Sequence, residues 1–300
     1  MPLFTVISGA IYAMHPLKKE YLGTFLIKKV RRLLIPMITV GTTYYLIQYF
    51  TPGTNMKGCF FDIWKIYIFP YTYFWYLPAL FLVFGIVAIM EVCNLQENIE
   101  KWRGVLIISL IFCFMELYGI IPKSVVNLFA FKNALFLLPF FIWGLGLTRF
   151  NETLYSKRMT RFYLIGVLLG ICLQQLHFFH PQHFIFYEEY KLKIIIGIIS
   201  SAFLLNIKWY NRIFIYLAGY AYTIYLFHGF GTAGGRIILN KIGIHSEIII
   251  FIFSSIIAIY TPIILDTILK NWKITRILFL GKSPVAKTII AKKTTKQDSN

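Results

Sequence analysis

The sequence predicts an all-α protein, a polytopic integral membrane bundle of about nine helices. Three observations predict this class. Hydrophobic residues make up 58% of the 300-residue chain and charged residues only 14%, and the mean hydropathy of +0.68 is far above that of soluble domains. The apolar residues are gathered into stretches close to the roughly 20 residues that a membrane-spanning helix requires. Basic residues are concentrated between alternate stretches, which is typical of multi-pass membrane proteins.

Eight apolar stretches are long enough to be predicted as spans. They lie at about 33–51, 73–92, 104–121, 134–148, 162–179, 190–207, 213–230 and 247–269. The preceding segment, MPLFTVISGAIYAM, is apolar but has only 14 residues, so we expect a ninth helix whose beginning is cut off. The transmembrane domain is predicted over 1–282, and the polar, basic remainder, 283–300, is predicted to be a disordered cytoplasmic tail.

The net charge of +18 is explained by membrane topology. If the first segment runs from outside to inside, 22 of the 30 Lys and Arg residues lie in the alternate loops and the tail, at 15–32, 91–103, 149–161, 208–212 and 270–300. This positive-inside distribution predicts a cytoplasmic C-terminus. It accounts for the charge without nucleic acid as a partner, and it makes membrane lipids the expected partners of the basic loops.

The segment GFGTAGG, residues 229–235, has the spacing G-x-G-x-x-G of a dinucleotide site. Such a site also needs a strand before it and an acidic residue about 20 residues further on. Here an apolar span precedes the glycines, and position 254 is Ser254. We therefore expect these glycines to form a flexible break at a helix end.

The segment HFFHPQH has a cluster of histidines that resembles a group of metal ligands. It contains His177, His180 and His183, with Glu188 and Glu189 nearby. The spacing does not match the defined zinc motifs, which pair such histidines differently or with thiolates. We expect a polar outer loop at this position and no metal site.

Three ionisable side chains lie at predicted membrane depth, where a charge is costly and usually functional: Glu116, His228 and Asp266. Glu116 and His228 lie at matching depth, in the outer half of spans that run in the same direction. His228 shares a helix face with Tyr225, three residues earlier; alternatively, it only bonds a neighbouring carbonyl near a helix end. Asp266 lies near the inner end of its span, where a helix-end ion pair with Lys270 is expected.

The segment FLIKKVRRLLIP places basic residues at the predicted inner boundary of the membrane. Lys29 and Arg32 are three residues apart and can point the same way on a helix. Two interpretations stay open. The charges serve only topology and contact lipid headgroups, or they bind a phosphorylated cytosolic donor, since Lys and Arg are the usual partners of phosphate.

Six segments, taken in order, resemble the membrane-bound acyltransferase 3 family, the bacterial sugar O-acyltransferases that modify surface polysaccharides and lipopolysaccharide. They are FTVISGAIYA, KKVRRLLIP, FWYLPALFLV, LPFFIWGLGL, GYAYTIYLFH and ILFLGK, between residues 4 and 282. The resemblance implies about ten spans in the bacterial inner membrane. It also implies transfer of an acyl group, expected to be acetyl, from cytoplasmic acyl-CoA to a hydroxyl of a cell-surface or exopolysaccharide glycan or glycolipid. Acyl-CoA is then a donor substrate, and no bound cofactor is expected.

Two of these segments match family motifs residue by residue. The basic motif of the family is Arg, two residues, Arg; Lys29 takes the first place and Arg32 the second, which keeps the charge but loses one planar donor. The SYxxYLxH-like motif of the family, with alanine in place of its serine, falls on Ala221, Tyr222, Tyr225, Leu226 and His228.

The resemblance is incomplete at the front of the chain. The first helix of the family carries an Arg and, after ten residues, a His that is regarded as essential. This chain begins in what resembles the second helix, and His15 does not replace that histidine. The resemblance therefore implies that the first helix is missing, which agrees with the truncated apolar segment at the start.

Acyl transfer to a hydroxyl requires a base with a pKa near neutrality, and histidine is the natural choice. Because the histidine regarded as essential in the family belongs to the missing first helix, we expect a supporting role for His228 and Tyr225, which would hold the acceptor or polarise the acyl carbonyl. Glu116 is expected to orient an imidazole. Trp75 and Tyr76 are expected to stack on the acceptor sugar. The phosphates of acyl-CoA are expected to contact Lys29 and Arg32, named above.

Two other functions are compatible with the sequence. One is a small membrane transporter or flippase, whose intramembrane ionisable groups would line a substrate path, although transporters usually show broken helices in corresponding halves. The other is a catalytically inactive, truncated acyltransferase with the same fold. Movement of a substrate across the membrane without binding of acyl-CoA would identify a transporter. A folded protein that lacks only acyl transfer would identify an inactive acyltransferase.

Overall fold

The structure of the chain is a computed structural model, which describes residues 1–52, 54, 59–122, 125–179, 191–207 and 210–283. These residues form helices and connecting turns with no β-strand among them. The predicted all-α class is confirmed. The predicted tail lies outside the described residues apart from Ser283.

Fourteen α-helices are described. They are α1 (Pro2–Met14), α2 (Leu22–Lys29), α3 (Ile35–Phe50), α4 (Lys65–Ile68), α5 (Tyr76–Val92), α6 (Ile99–Leu117), α7 (Phe131–Arg149), α8 (Asn151–Leu154), α9 (Lys157–Phe179), α10 (Lys191–Asn206), α11 (Arg212–Ala218), α12 (Ala221–Lys241), α13 (Glu247–Leu269) and α14 (Lys273–Leu278). A π-helical segment, Val30–Leu34, joins α2 to α3.

Several of these helices are long and apolar enough to cross a membrane. Among the described residues, four qualify by length and composition, over Lys19–Phe50, Leu128–Arg149, Lys157–Phe179 and Glu247–Leu269, and the bent pair of α11 and α12 makes a fifth. Three shorter apolar helices, Pro2–Met14, Tyr76–Val92 and Ile194–Asn206, coincide with further segments of the predicted nine. The chain is therefore a multi-pass membrane protein.

The helices form two compact units, and the first comprises residues 1–26 and 78–210. In it, α1 and α7 touch backbone to backbone, because a Cβ added at Gly9 or at Gly144 would collide with the main chain of the other helix. The indole Nε1 of Trp102 on α6 donates to the carbonyl of Ile142 on α7 at 2.9 Å. An ion pair between Arg149 and Glu91, with N to O at 2.9 Å, fastens the end of α7 to the end of α5.

The second unit comprises residues 27–77 and 211–300. Its described core is the pairing of α12 with α13, to which α3 and α14 are added. The α12–α13 contact is close because Gly231 faces Ala258 and Gly235 faces Ser254. Small residues at such contacts let helix backbones approach closely, which favours helix association in a membrane.

The glycine segment corrects one prediction. The sequence predicted that GFGTAGG breaks a helix, whereas residues 229–235 are helical and lie inside α12. The prediction failed because the packing of Gly231 and Gly235 against α13 outweighs the low helix propensity of glycine.

The predicted span 213–230 is also wrong as a single helix. The chain turns by 82° between α11, which ends at Ala218, and α12, which begins at Ala221. Helix α12 then continues to Lys241. The tyrosines and the histidine of GYAYTIYLFH consequently lie in the first turns of a new helix and not at the end of an old one.

The α12–α13 contact gives a matched test with two glycines of the same helix. A Cβ at Gly231 would lie 2.6 Å from the Cα of Ala258, whereas one at Gly234 meets nothing within 4 Å. We expect Gly231→Ala to destabilise the protein by about 1–3 kcal/mol, because the helices must separate. Gly234→Ala should leave stability unchanged or raise it by about 0.5–1 kcal/mol. Thermal unfolding in detergent measures both, and equal effects would contradict the described packing.

Candidate functional site

The candidate site is built on the first turns of α12 in the second unit. Tyr222, Tyr225 and His228 follow each other at intervals of three residues, which places them along one side of the helix. Thr223 and Leu226, on the adjacent side of the helix, are buried. Helix α12 therefore packs into the unit beside the row of motif side chains.

His228 is held in one tautomer. Its Nδ1 lies 2.8 Å from the backbone carbonyl oxygen of Tyr225. Because a carbonyl can only accept, Nδ1 must donate, and in the neutral ring the lone pair is then on Nε2. The predicted hydrogen bond between His228 and a neighbouring carbonyl is therefore present. It uses only Nδ1 and leaves the lone pair of Nε2 on the far side of the ring.

Tyr73 packs directly against His228. The two ring centroids are 4.5 Å apart, and the Tyr73 hydroxyl donates to the carbonyl of Leu226 at 3.1 Å. In return, the Tyr225 hydroxyl donates to the carbonyl of Tyr73. Gly229 makes room for this arrangement, since a Cβ there would lie 2.5 Å from the ring of Tyr73. Two reciprocal hydrogen bonds thus fix the turn before α5 to the start of α12.

Trp75 and Tyr76 continue the same aromatic surface. The Tyr76 ring is buried, with its centroid 5.6 Å from that of Tyr225. Trp75 is half-buried, and its centroid lies 6.1 Å from that of Tyr76. These two predicted sugar-stacking residues therefore adjoin the predicted Tyr225 and His228.

A second group of aromatic residues also packs against Tyr73. The Tyr44 ring of α3 packs edge-on against Phe230 of α12 at a centroid distance of 4.9 Å, and against Tyr73 at 5.7 Å. Nearby, burial raises the pKa of Tyr71 well above the usual range of a phenol. The Tyr71 hydroxyl therefore stays protonated and donates to Gln48 Oε1 at 2.5 Å.

The basic segment meets the start of α12 at Arg32. Arg32 lies in the π-helical segment Val30–Leu34. The Tyr222 hydroxyl donates to the backbone carbonyl of Arg32. The exposed Arg32 guanidinium lies over the Tyr222 ring, 5.9 Å from its centroid, a cation–π contact. Lys29 is close enough to Arg32 for the two positive charges to interact.

Asp266 corrects another prediction, because its partner is Lys282 and not Lys270. Its side chain is buried, and Oδ1 accepts from Lys282 Nζ at 2.6 Å and from Thr223 Oγ1 at 2.7 Å. Lys270 is exposed at the end of α13. Helix α14 and the turn at Gly281 bring Lys282 back to the carboxylate from 16 residues away.

The remaining predicted residues lie elsewhere. Glu116 is half-buried near the end of α6 in the first unit, where its charge interacts with Cys113. The histidine cluster is described only in part, since His180 and His183 lie outside the described residues. In the part of the chain that is described, there is no group of three or more His, Cys, Asp or Glu side chains that could hold a metal.

Several site residues were not predicted from the sequence. Two of them are Tyr73 and Thr223. For Tyr73, the only signal in the sequence is the cluster of aromatic residues in YTYFWY. Lys282 ends the segment ILFLGK, but the sequence assigned it no role. Arg236 lay beyond the predicted end of its span, although it belongs to α12 and interacts electrostatically with Tyr44.

The geometry agrees with the comparison to known families. Residues 1–267 match the model of a family described as an acyltransferase domain. The chain belongs to this family, the acyltransferase 3 family that its motifs resemble, and it is a membrane acyltransferase. No curated protein and no solved structure was found to match the chain. The family match includes Asp266 and ends before Lys282.

The hydrogen bonds that Asp266 accepts from Lys282 and Thr223 should contribute measurably to the free energy of unfolding. Asp266→Ala removes an acceptor from two donors, and hydrogen bonds to charged groups contribute about 1.5–3 kcal/mol. We expect a loss of about 2 kcal/mol in thermal unfolding experiments in detergent. Glu97→Ala is the control, because Glu97 pairs with Lys101 at 3.3 Å while its side chain stays 67% exposed. A similar loss in both variants would contradict the buried position of Asp266.

Proposed function

We propose that the chain transfers an acyl group, in the expected case acetyl, from acyl-CoA to a hydroxyl of a bacterial cell-surface or exopolysaccharide sugar. The observation that carries the proposal is the tautomer of His228. Its Nδ1 faces the Tyr225 carbonyl at 2.8 Å, so the basic Nε2 is available for proton transfer on the side away from its own helix turn. Family membership supports acyl transfer in general.

The proposed reaction is direct transfer, with His228 as the base in place of the supporting role expected from the sequence. His228 Nε2 takes the proton of the sugar hydroxyl while the oxygen attacks the thioester carbonyl carbon. The new C–O bond forms and the C–S bond breaks, and the thiolate of CoA takes the proton from the imidazolium. The products are the sugar ester and free CoA. The thioester supplies the activation, so the reaction requires neither a metal nor nucleotide hydrolysis.

The hydrogen bond from Nδ1 has a role in each step. It fixes the plane of the imidazole, and the Tyr225 carbonyl dipole stabilises the positive charge of the imidazolium. Tyr225 itself is anchored through its hydroxyl to the carbonyl of Tyr73. Tyr225 therefore acts through its backbone and its anchoring bond, which refines the expectation that it holds the acceptor.

The half-buried Trp75, which packs against the buried Tyr76, supports a carbohydrate acceptor. Aromatic rings bind the apolar faces of sugars, and the half-buried Trp75 presents part of its ring beside the buried Tyr76. Lys29 and Arg32 are proposed to contact the phosphates of acyl-CoA, with the C-terminus on the same cytoplasmic side. The orienting role expected for Glu116 stays a prediction, because Glu116 lies in the first unit and His228 in the second.

A transporter or flippase is the second candidate, favoured by the 82° break between α11 and α12, since discontinuous helices are typical of transporters. Reconstituted vesicles distinguish the two functions. Movement of a labelled glycolipid without release of CoA supports transport. Release of CoA with a stoichiometric sugar ester supports the transferase.

The substitution His228→Gln tests whether His228 acts as the general base. We expect kcat to fall by about 10²–10⁴-fold with little change in the KM for acyl-CoA, because general bases contribute this much. Release of CoA thiol by the purified protein measures it. His245→Gln is the control, since His245 is exposed before α13. Wild-type rates in a folded His228→Gln protein would leave the histidine without a catalytic role.

Arg32→Ala tests the donor site. The substitution keeps the backbone carbonyl that accepts from Tyr222, so the fold should be retained. We expect the KM for acyl-CoA to rise about tenfold, which corresponds to about 1.4 kcal/mol, with little change in kcat. Arg103→Ala, at an exposed arginine near the start of α6, should behave as wild type. An unchanged KM in Arg32→Ala would remove Arg32 from the donor site.

A further inference from the structure

Lys282 lies beside the basic segment although it is remote from it in sequence. It follows Gly281, whose φ of +60° suits glycine. A Cβ at Gly281 would lie 2.8 Å from the Arg31 carbonyl oxygen and 2.8 Å from the Cα of Arg32. The turn therefore packs against the backbone of the basic segment so closely that any other residue is excluded.

The turn is fixed from the α14 side as well. The Gly281 N–H donates to the carbonyl of Ile277 at 3.0 Å, and the Lys282 N–H donates to that of Arg276 at 3.1 Å. Helix α14 is in turn tied to α3, because Thr39 Oγ1 donates to the carbonyl of Leu278. The main chain at Lys282 thus has a defined position relative to Arg32.

The side chain of Lys282 is positioned by an ion pair that engages only part of its ammonium group. Asp266 Oδ1 accepts from Nζ at 2.6 Å, while the lysine side chain remains 42% exposed and that of Asp266 only 5%. An ammonium group has three N–H donors, and a single carboxylate oxygen takes one of them. A compact, partly exposed ammonium group that is paired with one carboxylate can also bind a phosphate oxygen as a point charge.

We infer that Lys282 is a third cation of the donor site, which binds a phosphate group of CoA together with Lys29 and Arg32, and that Asp266 is the positioning residue that holds it. The inference rests on the proposed use of acyl-CoA. Asp266 also accepts from Thr223 at 2.7 Å, next to the Tyr222 that contacts Arg32. One buried carboxylate therefore sets the positions of Lys282 and of the start of α12 together.

The test measures binding, so it does not depend on turnover. The full chain in phosphatidylcholine nanodiscs is titrated with CoA and with pantetheine, which lacks the nucleotide and its phosphates. Lys282→Met should weaken CoA binding about tenfold and leave pantetheine binding unchanged. Lys282→Arg should retain most of the affinity for CoA. Lys241→Met, the same change at the far end of α12 and about 28 Å along the helix from Tyr222, should bind CoA as wild type does.

Three results would overturn the inference. Wild-type CoA affinity in Lys282→Met is the first. The second is an equal loss for CoA and pantetheine, which would indicate a purely structural ion pair. The third is unchanged CoA binding with weaker binding to anionic phosphatidylglycerol vesicles, which would assign Lys282 to lipid phosphates. A wild-type chain that binds CoA but transfers no acyl group would overturn the proposed function alone.

A measurement on the wild-type chain covers the case in which Lys282→Met does not fold. CoA, but not pantetheine, should protect Lys282 from reductive methylation, as followed by peptide mass spectrometry. Exposed Lys241 serves as the internal reference, because its labelling should not respond to either compound. Equal labelling of Lys282 with and without CoA would overturn the inference.

Discussion

The backbone of the basic segment around Arg32 is the point on which the second unit depends. The Tyr222 hydroxyl of α12 donates to the Arg32 carbonyl, and Gly281 packs on the same stretch of backbone. Segments from three distant parts of the chain are thereby brought to one place. The guanidinium of Arg32, the tyrosine and histidine row of α12, and Lys282 all take their positions from this contact.

The fold class could be predicted from the sequence because the solvent imposes it. A lipid environment leaves helices as the simple way to satisfy every backbone group, so long apolar stretches separated by basic loops predict an α-helical bundle. The same argument could not locate the break before Ala221. No Lys, Arg, Asp or Glu interrupts the run from Ile213 to Phe230, and only the structure shows the 82° bend before Ala221. The packing of Gly231 and Gly235 on α13 explains why these glycines remain helical.

The candidate site was predictable where its parts are neighbours in sequence. Tyr225 and His228 are three residues apart, so helical periodicity alone places them together. Tyr73 donates to a carbonyl 153 residues away, and no local pattern contains that information. The partner of Asp266 shows the same limit, because Lys270 has the familiar helical spacing, whereas Lys282 depends on α14 and on a turn that only glycine allows.

The discontinuity of the second unit affects its biosynthesis. Its first part ends at residue 77 and its second begins at residue 211. At about 5–20 residues per second, the ribosome needs on the order of ten seconds to make the intervening segment. During this interval the basic segment lacks both the hydrogen bond from Tyr222 and the packing of Gly281. The contacts around Arg32 can therefore form only after most of the chain has been synthesised.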